Sequence, residues 1–314
     1  MNPILEAIKK ADSILIVGHV RPDGDCLGSA FALREYCIMQ GKVVDVGSPS
    51  PLPEAYSFVK HSEVFNRITR RKYDLFIAVD CGALDRIGRF EGFYNSAKET
   101  VWIDHHRGHN GFGKYNIVDS EASSACELVF DLLECEKVIN KKIATYLYMG
   151  LSSDTGHFMH NNTTPKVLLT AYKLALYGAD TYGLATELYR SRSKQKTELI
   201  AKCINAMRFY NDDKVSLICI TREILAEVGL ESNDTEGIID YAIAVKGVEI
   251  GVSICEEKSN EYKVSFRSRT RNVGDIASIF GGGGHMYAAG CRIFGKKEDV
   301  IDKILKAIRD TEAE

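Results

Sequence analysis

Four segments of this chain gather ionisable side chains at spacings that suit divalent-metal chemistry. His19-Val20-Arg21-Pro22-Asp23-Gly24-Asp25 supplies an imidazole and two carboxylates in one short turn. Asp80 ends the apolar run 73–79, Asp104-His105-His106 ends Val101-Trp102-Ile103, and Asp154 follows Ser152-Ser153. If Asp23, Asp25, Asp80 and Asp154 share a pocket with Asp104 beside them, they cannot all stay anionic unless protons or cations neutralise them. Two divalent ions would do so, and carboxylates with imidazoles and no cysteine suit Mn²⁺ better than structural Zn²⁺. A metal pair about 3.5–4 Å apart activates a bridging water and stabilises a leaving oxygen, so phosphoester hydrolysis is the inferred reaction.

The elements that must position these groups read as α/β. Residues 2–11 form a predicted helix, and Ser13–Val17 is a run expected of a strand buried on both faces. Pro22 and Gly24 make the following segment a turn, after which residues 27–40 restart as a helix closed by Gly41. Further strands are expected over 43–46, 73–79 and 99–103, with a proline-rich loop over 48–53. Three of the buried strands thus end in ionisable residues. In an open parallel sheet, ligands bind outside the carboxyl ends of the strands. Helices are expected over 123–135 and 141–151, the second delivering Asp154. Thr164 and Pro165 look like the start of another helix, ended by Gly178.

Residues 184–209 read as a long polar helical region, and from Lys214 the texture becomes β-rich, with strands over 215–221, 248–255 and 262–266 and helices over 234–245 and 273–280. The expected organisation is a mostly parallel-sheet domain over 1–187, a helical linker over 188–211 and a smaller α/β domain over 212–314. Within the latter, Arg267 and Arg269 would share one face if both lie on a strand, where two guanidiniums can clamp a phosphate. The glycines at 281–284 let backbone N–H groups approach an anion closely, and His285 follows them.

Composition narrows the partners. With 314 residues and a net charge of −3, the chain lacks the basic excess of a general binder of long nucleic acid. The apolar fraction of 45% and charged fraction of 26% are those of ordinary soluble proteins, and no run is long enough to span a membrane. The N-terminal segment has no signal-peptide core, and nine cysteines without a C-x-x-C pair read as reduced thiols, so a cytoplasmic location is expected.

The segments Gly18 to Ser29, Val79 to Gly82, Asp104 to His106 and Gly150 to Phe158 resemble, in order, the four motifs of the DHH phosphoesterase superfamily. Phe266-Arg267-Ser268-Arg269 and the glycine run through His285 to Gly290 resemble its DHHA1 domain. Length and domain order are most similar to the nanoRNase and pAp-phosphatase, NrnA-like branch. The resemblance implies that His19, Asp23, Asp25, Asp80, His105 and Asp154 hold two divalent ions, expected to be Mn²⁺, with Asp80 bridging. It places His106 on the scissile phosphate; Asp104, which nothing in the spacing makes a direct ligand, is expected to orient an imidazole. It also implies a terminal-phosphate holder made of Arg267, Ser268, Arg269, Gly282, Gly283, Gly284 and His285, with substrate between the domains and a dimetal-activated hydroxide as nucleophile. The implied partners are short RNA oligonucleotides or mononucleotide bisphosphates such as 3'-phosphoadenosine 5'-phosphate (pAp), with neither long duplex nor membrane, and a homodimer is compatible with the sequence. Two other readings stay open: a phosphodiesterase for cyclic dinucleotides or linear products such as pApA, and a non-catalytic nucleotide-binding protein.

Overall fold

The computed structural model describes residues 2–311, and the chain divides into two compact units at Ser191 and Arg192. In the first, strands β1 (Ser13–Val17), β2 (Val43–Gly47), β3 (Leu75–Val79), β4 (Glu99–Asp104) and β5 (Tyr115–Val118) form a five-stranded sheet in the order β2-β1-β3-β4-β5. Every neighbouring pair is parallel. Its helices are α1 (Pro3–Lys10), α2 (Gly24–Met39), α3 (Glu91–Ser96), α4 (Ala125–Glu134), α5 (Lys141–Asp154), α6 (Pro165–Leu176) and α7 (Thr181–Tyr189).

The apolar runs of β1 and β3 are continuous because both faces of the sheet are covered. Ile14 and Ile16 pack into the core shared with α2, α4 and α5. Leu15, Val17, Phe76 and Trp102 turn to the opposite face, against Phe90, Phe93 and Tyr94. The strand order reverses direction between β1 and β3, and that crossover opens a crevice at their carboxyl ends. His19, Asp80 and the end of β4 all lie at this edge.

Two glycines allow α2 and α5 to approach closely. A Cβ on Gly28 would sit 2.5 Å from the Tyr146 carbonyl, and one on Gly150 would sit 2.9 Å from the Asp25 Cα. No side chain fits in either place. Because α5 can lie against α2 here, its last residue, Asp154, arrives beside the first turn of α2.

The second unit carries β6 (Arg208–Tyr210), β7 (Val215–Ile220), β8 (Ile250–Lys258), β9 (Glu261–Ser268), β10 (Gly283–His285) and β11 (Ala288–Phe294), with α8 (Lys194–Asn205), α9 (Arg222–Val228), α10 (Ile238–Ile243), α11 (Val273–Ile279) and α12 (Lys297–Asp310). The sheet order is β10-β11-β9-β8-β7-β6, parallel only between β7 and β8. Leu217, Val252, Val264 and Phe266 face a core closed by α11 and α12. Ile218, Ile220 and Cys255 face a second core with Leu199 and Cys203 of α8.

Several expectations need correction. The region 184–209 is not one helix: it is the end of α7, a break at 190–193, α8 capped by the Ser193 side chain, and strand β6 from Arg208. The helix expected over 234–245 is a 3₁₀ turn, Ser232–Thr235, then α10, separated at Gly237 with φ +79°. The backbone of the glycine run, expected to approach an anion, is partly engaged within the fold: the Gly282 N–H donates to the Ala277 carbonyl, and Gly283 to His285 pair antiparallel with Ala288 to Gly290. Arg269 lies one residue beyond the end of β9. Among the described residues, no helix is long and apolar enough to cross a membrane.

Candidate metal centre

The residues that the sequence singled out in the first half meet at the crevice. β1 delivers His19, and the turn after it ends with Asp23 as the N-cap of α2, its Oδ1 accepting the backbone N–H groups of Asp25 (3.1 Å) and Cys26 (3.0 Å). That hydrogen bonding leaves Asp23 Oδ2 turned toward His19. Asp25, in the first turn of α2, is fully buried. Its two oxygens accept the N–H groups of Ala125 (2.6 Å) and Cys126 (2.8 Å). These belong to the first turn of α4, so the helix N-terminus partly offsets the cost of burying the carboxylate.

Asp80 follows β3 in a left-handed conformation, φ +54°, an uncommon backbone for a non-glycine residue that directs its side chain into the crevice. Its oxygens divide between two groups. Oδ2 is 3.2 Å from His19 Nε2, which is itself 3.6 Å from Asp23. Oδ1 is 3.4 Å from His105 Nε2, which also lies 3.2 Å from Asp154 and 3.8 Å from Asp25. The result is two lobes that share Asp80: His19 with Asp23, and His105 with Asp25 and Asp154. Asp80 Oδ1 is buried and makes no hydrogen bond. Such an orphaned oxygen, amid carboxylates and imidazoles that all offer lone pairs, is the donor set a divalent cation needs. Cys26 Sγ stands within 4.8 Å of the His19 and Asp80 ligand atoms, so one thiol borders a set expected to lack cysteine.

The charges of the cluster are tightly interdependent. Burial opposes a proton on His19, but hydrogen bonds to Asp23 and Asp80 outweigh it and push the ring up to about 10. For His105, burial is outweighed by Asp154 and Asp80, and the ring is pushed up to about 12. Asp25 is raised to about 7 by burial and by the charge of Asp80. Asp154 is raised well above the carboxylate range, by burial and by Asp25. Asp80 goes the other way: burial is overcome by His105 and His19, and it stays ionised. Without cations the crevice therefore gathers protons in their stead.

Asp104, the last residue of β4, is fully buried. Its Oδ1 accepts His106 Nδ1 at 2.8 Å, so the imidazole it orients is that of His106. Three participants were missed by sequence reasoning. His109 Nε2 lies 2.6 Å from Asp104 Oδ2. Arg86 Nη2 lies 2.9 Å from His19 Nδ1, which is also 2.9 Å from the Val20 carbonyl. A carbonyl only accepts and a guanidinium only donates, so Nδ1 serves one or the other, and pairing with Val20 frees Nε2 for a cation. Asn162 Nδ2 donates to the Asp154 carbonyl at 3.2 Å and holds the turn after α5. Only His109, three residues past a motif, left a trace in the sequence.

In the second unit, Arg267 points to the α10 side of the sheet, its Nε 3.9 Å from Asp240, and Arg269 Nη2 donates to the Ile243 carbonyl at 2.8 Å. The two guanidiniums thus reach the same helix although only Arg267 lies on β9. Ser268 is buried and its hydroxyl accepts the N–H groups of Thr270 and Arg271. Across β11, Ala288 pairs with Arg267 on one side and His285 on the other, which puts exposed His285 two strands from Arg267. Gly282 and Gly284 pack where a Cβ would meet the Gly290 carbonyl at 2.3 Å and the Ala288 carbonyl at 2.5 Å, while Gly283 is open.

Residues 13–151 match the model of the DHH family N-terminal domain, and residues 217–314 match the DHHA1 domain. The chain is 30% identical to a bifunctional oligoribonuclease and PAP phosphatase NrnA of Mycoplasma genitalium, over 97% of this chain and 96% of the relative. It is 27% identical to the protein of that name from Bacillus subtilis, over 96% and 95% of the two chains. A crystal structure of an exopolyphosphatase-related protein from Bacteroides fragilis superposes with a TM-score of 0.90 at 27% identity, over 98% of this chain and 94% of the other. The chain belongs to the DHH/DHHA1 phosphoesterase family, on its NrnA-like branch.

Proposed function

We propose that this DHH/DHHA1 phosphoesterase hydrolyses short RNA, of about two to five nucleotides, and pAp, with two Mn²⁺ ions as cofactor. The observation that carries the reading is the meeting of six donor residues in one crevice, with Asp80 offering one oxygen to each lobe. Full-length relatives named for oligoribonuclease and PAP phosphatase activity support the substrate class.

His19 and Asp23 would hold one ion, His105, Asp25 and Asp154 the other, with Asp80 shared. Divalent ions there supply Lewis-acid polarisation of the phosphate and water of lowered pKa. His106 keeps Nε2 clear of Asp104 and directs it at a non-bridging oxygen of the scissile phosphate. Asp104 fixes that ring and, being saturated by two imidazoles, stays out of the chemistry. The second unit binds the terminal phosphate through Arg267, Arg269, His285 and the exposed backbone at Gly283 and Gly284, the Gly282 N–H being held by the Ala277 carbonyl at 3.0 Å, with Ser268 shaping the turn after β9. Arg269 would exchange its bond to the Ile243 carbonyl for the phosphate, a charge-assisted and stronger partner. A holder of one end, on a chain of net charge −3, grips short substrates and has no track for long ones.

The test is a chromatographic panel with the Mn²⁺-loaded protein: dinucleotides, pentamers, longer RNA, DNA, pAp, cyclic dinucleotide and pyrophosphate. Fastest turnover of dinucleotides to pentamers, with pAp also cleaved, is expected. Cyclic dinucleotide cleaved as fast as linear would replace the substrate assignment, and binding without hydrolysis of any member would end the enzymatic one.

A further inference from the structure

We infer that His109 is a positioning residue for His106, acting through Asp104 as the outer member of a His–Asp–His relay; the inference rests on the reading of His106 as the phosphate-facing group. Asp104 is fully buried and gives one oxygen to each ring: Oδ1 to His106 Nδ1 at 2.8 Å and Oδ2 to His109 Nε2 at 2.6 Å. The tautomer of His109 follows from its other nitrogen. The Gly111 backbone N–H donates to Nδ1 at 2.9 Å, and since an N–H can only donate, the ring proton sits on Nε2 and points at Asp104. The carboxylate then accepts at both oxygens and cannot rotate.

The remainder of the loop holds His109 in place. Gly108 and Gly111 have φ of +94° and +90°, conformations that fold the chain back beneath β4. The His109 ring stacks on Phe112 at 5.2 Å and 17°, and Phe112 meets Trp102 of the sheet core at 5.0 Å. The relay is thus anchored to the core rather than to solvent. With Oδ1 fixed, His106 keeps its proton on Nδ1 and presents Nε2 outward. Without His109, Asp104 Oδ2 would be a buried acceptor with no donor, and the carboxylate would turn to find one.

The experiment compares the full-length wild type with His109→Leu and His109→Gln, all Mg²⁺-loaded for long-range ¹H–¹⁵N spectra of His106, and Mn²⁺-loaded for kinetics on a dinucleotide. Expected are a His106 with Nδ1 protonated in the wild type, mixed tautomers in His109→Leu with kcat lower by about tenfold at unchanged KM, and recovery of both in His109→Gln, whose amide N–H can still reach Asp104. A His109→Leu protein with wild-type kcat and a wild-type His106 spectrum overturns the inference. If the leucine variant does not fold, the glutamine variant decides, because a folded His109→Gln with mixed His106 tautomers refutes the relay. If the wild type hydrolyses no phosphoester, the substrate reading fails by itself while the spectra still decide the relay.

Discussion

Binding of Mn²⁺ should release protons, and the number follows from the crevice. His19 is pushed up to about 10 and His105 to about 12, because each ring faces two or more carboxylates. An ion in each lobe takes one of these Nε2 lone pairs and must displace one of the two protons. The logarithm of the overall constant for binding both ions should therefore rise with a slope of at least two, roughly hundredfold per pH unit, between about pH 7 and 9, Asp154 being raised as well and adding to the protons released. Below neutrality the slope should steepen, since Asp25, raised to about 7, then adds its own proton. The sign for stability is opposite in the metal-free protein. Groups whose folded pKa is raised stabilise the fold below their ordinary value and lose that contribution as pH climbs through the folded one. Asp25 gives up its share between about pH 4 and 7, and His19 between about pH 6.5 and 10. The metal-free Tm should fall over that range while the increment from Mn²⁺ widens. Free Mn²⁺ measured by electron paramagnetic resonance at several pH values gives the slope, and calorimetry in buffers of different ionisation heat counts the protons. A slope below one, with no buffer dependence of the heat, would refute the protonated-imidazole account.

Asp80→Asn should lower kcat by at least about a thousandfold, since the shared oxygens serve both lobes; activity near wild type in Mn²⁺ would remove the two-lobe assignment. Gly82→Ala would bring a Cβ to 3.0 Å from the His106 ring, and a shift of a few tenths of an ångström should cost roughly three- to tenfold in kcat with Tm little changed, read by steady-state kinetics and melting. Ser124→Ala removes the cap that accepts the Glu127 N–H at 3.1 Å, and urea unfolding of the metal-free protein should report a loss of about 1 kcal/mol. Arg269→Ala should mainly raise KM for pAp, by about tenfold or more, and a fall in kcat alone would contradict its role as a phosphate holder.

The strands were legible in the sequence because burial on both faces writes itself as an unbroken apolar run. β1 was expected over Ser13–Val17 and is found there, and β3 and β4 differ from expectation only at their ends. Edge strand β5 escaped notice because its residues are only half-buried and carry no such run. β11 and α12 were likewise unread, although α12 displays a helical apolar repeat at Val300, Ile304, Ala307 and Ile308. Helix ends were blurred where a side chain rather than a glycine sets them. α2 begins at Gly24, not Leu27, because Asp23 caps it.

The sequence by itself determined which groups are present and at which strand ends they stand, since each follows an apolar run by covalent connection. Only the tertiary structure decided their grouping. Distance along the chain says nothing of the division of Asp80 between His19 and His105, nor of the support that the first turn of α4 gives to Asp25, 100 residues away. Gly28 and Gly150 matter only where two helices touch. The place of Asp104 was decided in the same way: it turns on a carboxylate meeting two imidazoles, and the second, His109, reaches it only because two left-handed glycines fold the loop back beneath β4.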